Sequence, residues 1–254
     1  MPRALITGAS GGIGLELARI FAREHYDLIL VARSESRLHE LAGELRSAHR
    51  IGVDVVARDL SLPETVDEIQ ERTGPVEVLV NNAGYGLYGP FAQFPVTDDL
   101  NMMHLNMDAL VALTKAYLPG MIDARYGRIM NVASTAAFQA GPLMALYYAS
   151  KAFVLHFSEA IANELKGTGV TVTALCPGPT TTGFQDRAAL SEARLMRMGS
   201  MSAKDVSEIG YRGLMAGRTI VIPGLRNRAM VQALRISPRK LVTAIARNLQ
   251  EKVK

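Results

Sequence analysis

The sequence has no tryptophan, a single cysteine and no long apolar run. One thiol, Cys176, excludes an intramolecular disulfide framework and fits a reducing compartment, so a cytoplasmic protein is expected. No hydrophobic stretch approaches the roughly 18 residues of a membrane-spanning helix. The amino terminus enters a strand-like run, Ala4-Leu5-Ile6, at once, which leaves no room for the apolar region of a signal peptide. Internal repeats, low-complexity segments and a Pro/Ser/Gly-rich linker are also missing, so one domain over residues 1–225 is the simplest partition. The histidines at 25, 39, 49, 104 and 156 form no ligand cluster with carboxylates, and no metal is expected. Nucleic acid is not an expected partner.

What is present is a large apolar fraction, 48% of 254 residues, enough for a sizeable core. Strand-length apolar runs occur at about Ala4 to Thr7, Asp27 to Ala32, Val53 to Ala57, Val76 to Val80, Arg128 to Val132, Val170 to Leu175 and Thr219 to Ile222. Between them lie helical patterns at about Gly12 to Glu24, Ser34 to Ser47, Leu62 to Arg72, Thr97 to Asp123, Leu146 to Lys166 and Ala203 to Ala216. Pro119 is expected to bend or end the fourth. This alternation predicts an α/β fold, a doubly wound parallel seven-stranded sheet with helices on both faces.

The net charge of +4 is unevenly spread. From Arg218 onward nine Lys/Arg face one acid, Glu251, while the rest of the chain is net negative. Residues 226–254 read as a basic tail of two amphipathic helices, with Met230 and Leu234 inward in the first and Leu241, Ile245 and Leu249 inward in the second. A solvated face is the plainest account of its arginines; the alternatives are that the tail covers the pocket, joins an oligomer interface or meets an anionic carrier or a membrane surface.

Three stretches carry chemistry. Thr7-Gly8-Ala9-Ser10-Gly11-Gly12-Ile13-Gly14 follows the first strand and opens a helix, so its glycines allow close backbone approach to a pyrophosphate at the helix amino terminus. At the end of the second strand, where an acid would accept from a ribose hydroxyl, the chain reads Ala32-Arg33, with Arg37 nearby. A guanidinium there grips a ribose phosphate, favouring NADP(H) over NAD(H). Finally, Ser134 follows the fifth strand, and Tyr147 and Lys151 are four apart on a predicted helix, hence on one face. The ammonium is expected to lower the tyrosine pKa below its usual value of about 10, readying it for proton exchange with a carbonyl or alcohol.

These residues resemble the short-chain dehydrogenase/reductase family over about residues 3 to 225. Five elements agree in order: Thr7-Gly8-x-x-x-Gly12-Ile13-Gly14, Asp59-Leu60, Asn81-Asn82-Ala83-Gly84, Ser134 with Tyr147-x-x-x-Lys151, and Pro177-Gly178-Pro179-Thr180-x-Thr182. The resemblance implies a Rossmann-type fold and an NADPH-dependent carbonyl reductase acting on an apolar aldehyde, ketone or 3-oxoacyl substrate. Tyr147 would be the acid/base, Ser134 would polarise the substrate oxygen, and Lys151 would bind the nicotinamide ribose. Asn106 would hold a water in the proton relay. Gly8, Ser10, Gly12 and Gly14 would cradle phosphates, and Asp59 and Leu60 would meet the adenine. Asn82, Ala83 and Gly84 would line the cofactor's middle, Ile13 and Val132 the nicotinamide, and Pro177, Gly178, Thr180 and Thr182 would fix its carboxamide. A homodimer or homotetramer through paired helices is expected. A nucleotide sensor without turnover, or an epimerase or dehydratase using bound NADP, are the alternatives. Substrate-facing positions are expected in 85–94, 135–144 and 183–201, where Tyr85, Leu87, Tyr88, Phe91, Phe138, Met144, Phe184, Leu190, Leu195, Met196, Met198 and Met201 make an apolar inventory.

Overall fold

The computed structural model describes residues 1–62, 64–183 and 199–251. Among them no helix is long and apolar enough to cross a membrane. Phe184, Leu190, Leu195, Met196, Met198, Lys252 and Lys254 lie outside the described residues.

Strands and helices alternate: β1 (Arg3–Thr7), α1 (Gly12–Arg23), β2 (Asp27–Ala32), α2 (Glu35–His49), β3 (Val53–Ala57), α3 (Thr65–Thr73) and β4 (Val78–Asn81). Next come α4 (Val96–Met103), a π turn (His104–Asp108), α5 (Ala109–Asp123), β5 (Gly127–Val132), α6 (Ala145–Glu164) and β6 (Val170–Leu175). The chain continues through β7 (Thr180–Thr181), β8 (Met201–Ser202), α7 (Ala203–Met215), β9 (Ile220–Val221), α8 (Leu225–Ile236) and α9 (Arg239–Gln250). Seven strands form one parallel sheet in the order β3-β2-β1-β4-β5-β6-β9.

Successive strand residues point to opposite faces, and both faces are covered. Ile6, Leu30, Val80, Met130 and Leu175 pack with Leu17, Phe21, Leu38, Val206 and Leu214. Their neighbours Leu5, Ile29, Leu79, Ile129 and Val172 pack on the other side with Ile69, Leu113, Tyr117 and Met121. Two-sided burial is why β1, β2 and β4 read as nearly continuous apolar runs. The order reverses at β1, whose neighbours are β2 and β4. Ligands of such sheets sit at the carboxyl ends of the strands beside that switch.

Several expectations need correction. The pattern over Thr97 to Asp123 is one continuous helix, but it contains a π turn, and α5 runs four residues past Pro119. Helix α3 begins at Thr65, after an exposed Leu62. β7 and β8 pair in a small second sheet that was not expected. In the tail the inward stripe is shifted: Val231, Val242, Ala246 and Gln250 are buried, while Met230, Leu241 and Ile245 are exposed. The buried set has the same i, i+4, i+8 period one residue later, and period alone does not choose between the two.

Candidate active site

The glycine turn leaves β1 with Gly8 at φ 65°, in the left-handed region. A Cβ on Gly14 would lie 2.4 Å from the Gly8 carbonyl oxygen, so α1 packs directly on the turn. Gly11 caps α1 without a side chain, and a Cβ there would meet nothing within 4 Å. The turn is therefore an open cradle under the unbonded first amides of α1, with Ser10 half-buried in it. Ile13 is held by the Ser207 hydroxyl, which donates to its carbonyl at 3.2 Å.

The Thr7 hydroxyl joins β1 to the turn after β4: it donates to the Val80 carbonyl at 3.2 Å and accepts from the Asn82 and Ala83 amides, each at 2.9 Å. Asn82 Nδ2 donates to the Thr7 carbonyl at 2.8 Å. Gly12 faces Thr182, whose Cγ2 would be 3.1 Å from a Cβ, so the chain after β7 meets the cradle there. Thr180 Oγ1 donates to the Gly178 carbonyl at 2.9 Å.

At the end of β2, Arg33 is exposed and lies 3.8 Å from Asp59. Asp59 also accepts from the Ser61 amide and hydroxyl, at 3.0 and 2.8 Å. Leu60 is buried beside it, and Arg37 is exposed in the first turn of α2.

Ser134, Tyr147, Lys151 and Asn106 converge at the ends of β4 and β5. The Ser134 side chain lies against the Tyr147 phenol and favours its ionised form. Lys151 is 6% exposed; its Nζ donates to the Val132 carbonyl at 2.7 Å and lies 5.8 Å from the centre of the Tyr147 ring. Asn106, in the π turn, donates to the Tyr85 carbonyl at 2.9 Å and to Ser150 Oγ at 3.1 Å, and accepts from the Tyr85 amide at 3.1 Å. Asn106 and Lys151 flank Gly84, where a Cβ would be 2.9 Å from Asn106 Oδ1 and 3.5 Å from Nζ.

Electrostatics here differ from the expectation. Burial lifts the Tyr147 phenol above its ordinary value, with the facing Ser134 acting against it. The Lys151 ammonium lies over the ring and is itself pulled down by burial to about 8. Burial also pushes the Cys176 thiol up to about 12, consistent with an inert packed cysteine. His39, His104 and His156 each lie within 4 Å of a carboxylate on an exposed helix face, and no group of three potential metal ligands occurs among the described residues.

Sequence reasoning passed over the buried chain that supports this site. Asn81 donates to Asn131 at 2.9 Å, Asn131 to Ser158 at 2.9 Å, and Ser158 to the Val154 carbonyl at 2.6 Å. It fixes α6, which carries Tyr147 and Lys151, against β4 and β5. Ser150, bonded to Asn106 and donating to the Tyr147 carbonyl at 2.8 Å, was also missed. Two asparagines at matching strand ends, paired in register, were the available signal.

The family model for short chain dehydrogenase matches residues 2–193. The ketoacyl reductase HetN of Nostoc sp. is 33% identical over 222 residues, 86% of this chain and 77% of that one. A short-chain dehydrogenase from Sphingobium yanoikuyae, solved in complex with NADPH, superposes with a TM-score of 0.85 at 32% identity over 92% of each chain. A short chain dehydrogenase/reductase from Burkholderia phymatum, solved with NAD, gives 0.82 at 25% identity, covering 100% of this chain and 98% of that one.

Proposed function

The chain belongs to the short-chain dehydrogenase family, and on that premise we propose that it is an NADPH-dependent carbonyl reductase, reversible as an alcohol dehydrogenase, acting on an aldehyde, ketone or 3-oxoacyl group. The observation that carries this reading is the facing Ser134–Tyr147 pair with Lys151 beneath it, beside an open glycine cradle. The cradle fits a dinucleotide: Gly8, Ser10, Gly12 and Gly14 would receive the pyrophosphate, and Asp59 and Leu60 the adenine. Asn82, Ala83 and Gly84 would line the middle, with Ile13, Val132, Pro177, Gly178, Thr180 and Thr182 around the nicotinamide. Arg33, with Arg37 behind it, supports NADP(H) over NAD(H), since an exposed guanidinium next to the uncharged Ala32 suits a phosphate.

When bound, the reduced nicotinamide supplies a hydride. The chain's own contribution is to orient the carbonyl and handle the proton. Ser134 and Tyr147 would both hydrogen-bond the oxygen on which charge develops, and Tyr147 would transfer its phenolic proton to that oxygen. A phenol held neutral by burial is a competent acid for this step. Lys151 and Asn106, on either side of Gly84, would resupply the proton. A spectrophotometric screen of NADPH oxidation over aldehydes, diketones, 3-oxoacyl thioesters and steroid ketones tests the reading. Nucleotide binding without consumption of any carbonyl would leave the sensor alternative.

We infer two further properties of the assembly. Phe153, exposed on α6 and stacked on Phe157 with centroids 5.7 Å apart, supports a homo-oligomer through paired helices. Leu225, Ile236, Leu241 and Ile245, exposed among the tail arginines, support contact with an anionic carrier or membrane surface. Light scattering and salt-sensitive retention on anionic vesicles test them.

A further inference from the structure

Helix α9, at the end of the basic tail, finishes against Tyr88 and Tyr148, next to Tyr147. Tyr88 donates its hydroxyl to the Gln250 carbonyl at 2.6 Å. The Gln250 side-chain amide faces the Tyr148 hydroxyl. The Tyr148 ring meets that of Tyr147 edge to face, with centroids 6.0 Å apart, and Tyr88, Met144 and Ala136 complete the cluster. Gln250 is only 1% exposed, yet among the described residues neither its Oε1 nor its Nε2 has a hydrogen-bond partner of normal geometry.

Such an arrangement is destabilising, because an amide taken from water without replacement partners loses two good hydrogen bonds. Methionine or leucine would fill the same space without that loss. A partner from outside the chain removes the conflict, and on the reductase reading the molecule that comes nearest is a substrate held at Tyr147, whose ring meets that of Tyr148. The neighbours limit its chemistry. Ala136, Met144, Tyr88 and Tyr148 carry no charge, so an ionised group would be desolvated with no counter-charge. A purely apolar group would leave the amide unpaired.

Resting on the reductase reading of this site, we propose that Gln250 is a specificity-determining residue that receives an uncharged donor and acceptor group of the substrate, a hydroxyl or a carboxamide, set apart from the reacting carbonyl. The substrate is then an apolar body with one neutral polar anchor. The Tyr88 bond to the Gln250 backbone holds α9 in place, which makes the tail a wall of the pocket.

The test compares NADPH-dependent reduction of matched ketones by the full-length protein. The set has one carbon chain ending in an alkyl group, a hydroxyl, a primary carboxamide or a carboxylate. The hydroxyl or the carboxamide ketone is expected to exceed the alkyl ketone by at least about 10-fold in kcat/KM. In Gln250→Met that ratio falls to within about two-fold, chiefly through KM for the polar ketone, and the melting temperature rises as the unpaired amide disappears. Gln250→Leu gives the same comparison if the methionine variant does not fold. Equal rates for polar and alkyl ketones in the wild type, the carboxylate ketone as the best substrate, or a preference that survives both substitutions each overturn the assignment. A melting temperature that falls while the preference stays intact does so too, by marking Gln250 as structural. If no ketone or aldehyde is reduced, the alkyl one included, the reductase reading itself is lost, an outcome separate from loss of discrimination.

Discussion

Lys151 is expected to work at the expense of the fold. Its ammonium is buried against the Val132 carbonyl at 2.7 Å, and burial draws its pKa from 10.5 to about 8. Near pH 7 the amine is protonated in both the folded and the unfolded chain, so keeping the charge inside costs about 3 kcal/mol. Lys151→Met removes that cost and leaves the Val132 carbonyl unpaired, a loss of about 1–3 kcal/mol. The variant is therefore expected to be as stable as the wild type near pH 7, or up to about 2 kcal/mol more stable, while losing turnover. The pH dependence has a definite sign. Between about pH 8 and the unfolded value of 10.5 the folded wild type has released this proton and the unfolded chain has not. The unfolded state then binds more protons, so wild-type stability rises relative to the variant as pH climbs. Urea denaturation of both proteins near pH 7 and about pH 10, read as midpoint differences at matched slopes, measures it. A variant less stable by more than about 2 kcal/mol near pH 7, or a stability difference that does not move with pH, would refute the reasoning.

Tyr147→Phe removes the hydroxyl facing Ser134; kcat/KM should drop on the order of 10²–10⁴-fold, while NADPH affinity by fluorescence titration stays within a few-fold. Arg33→Ala should raise KM for NADPH by about 10-fold with little change for NADH. Because Arg33 is exposed, the wild-type preference for NADPH should itself shrink at high salt. Gly14→Ala and Gly11→Ala separate folding from binding. The first forces a Cβ to 2.4 Å from a backbone oxygen and should lower the melting temperature sharply, whereas the second meets nothing within 4 Å and should weaken nucleotide binding with little loss of stability.

The sheet was readable because buried parallel strands need apolar residues on both faces; Asp27–Ala32, Val53–Ala57 and Val170–Leu175 appear with the expected ends. The glycine turn was readable for a related reason, since close backbone approach tolerates few alternatives to glycine. Other features leave no such trace. A two-residue pair such as Thr180–Thr181 with Met201–Ser202 is too short for alternation to register. In the tail, two parallel stripes share one period, and the large aliphatic Leu241 and Ile245 draw attention away from the Val242, Ala246 and Gln250 face that packs. The Tyr147 pKa was misjudged because spacing reveals that a cation is one turn away, but not that the same burial desolvates phenol and ammonium together. Catalytic candidates were legible by type and order, whereas Ser150, Asn131 and Gln250 needed coordinates to connect them.

The widened turn at His104–Asp108 also bears on how this chain tolerates changes in length. A π turn holds one residue more than the regular pitch requires. Deleting a single residue there would let the rod from Val96 to Asp123 close up into ordinary turns without breaking. The two halves of the rod would keep their phase, because the extra residue is what the wide turn absorbs, but Asn106 sits in that turn, and the amide that cradles the Tyr85 backbone would point elsewhere. One lost codon would thus leave a well-folded protein in which the Tyr85 backbone and the Ser150 hydroxyl have lost their shared partner.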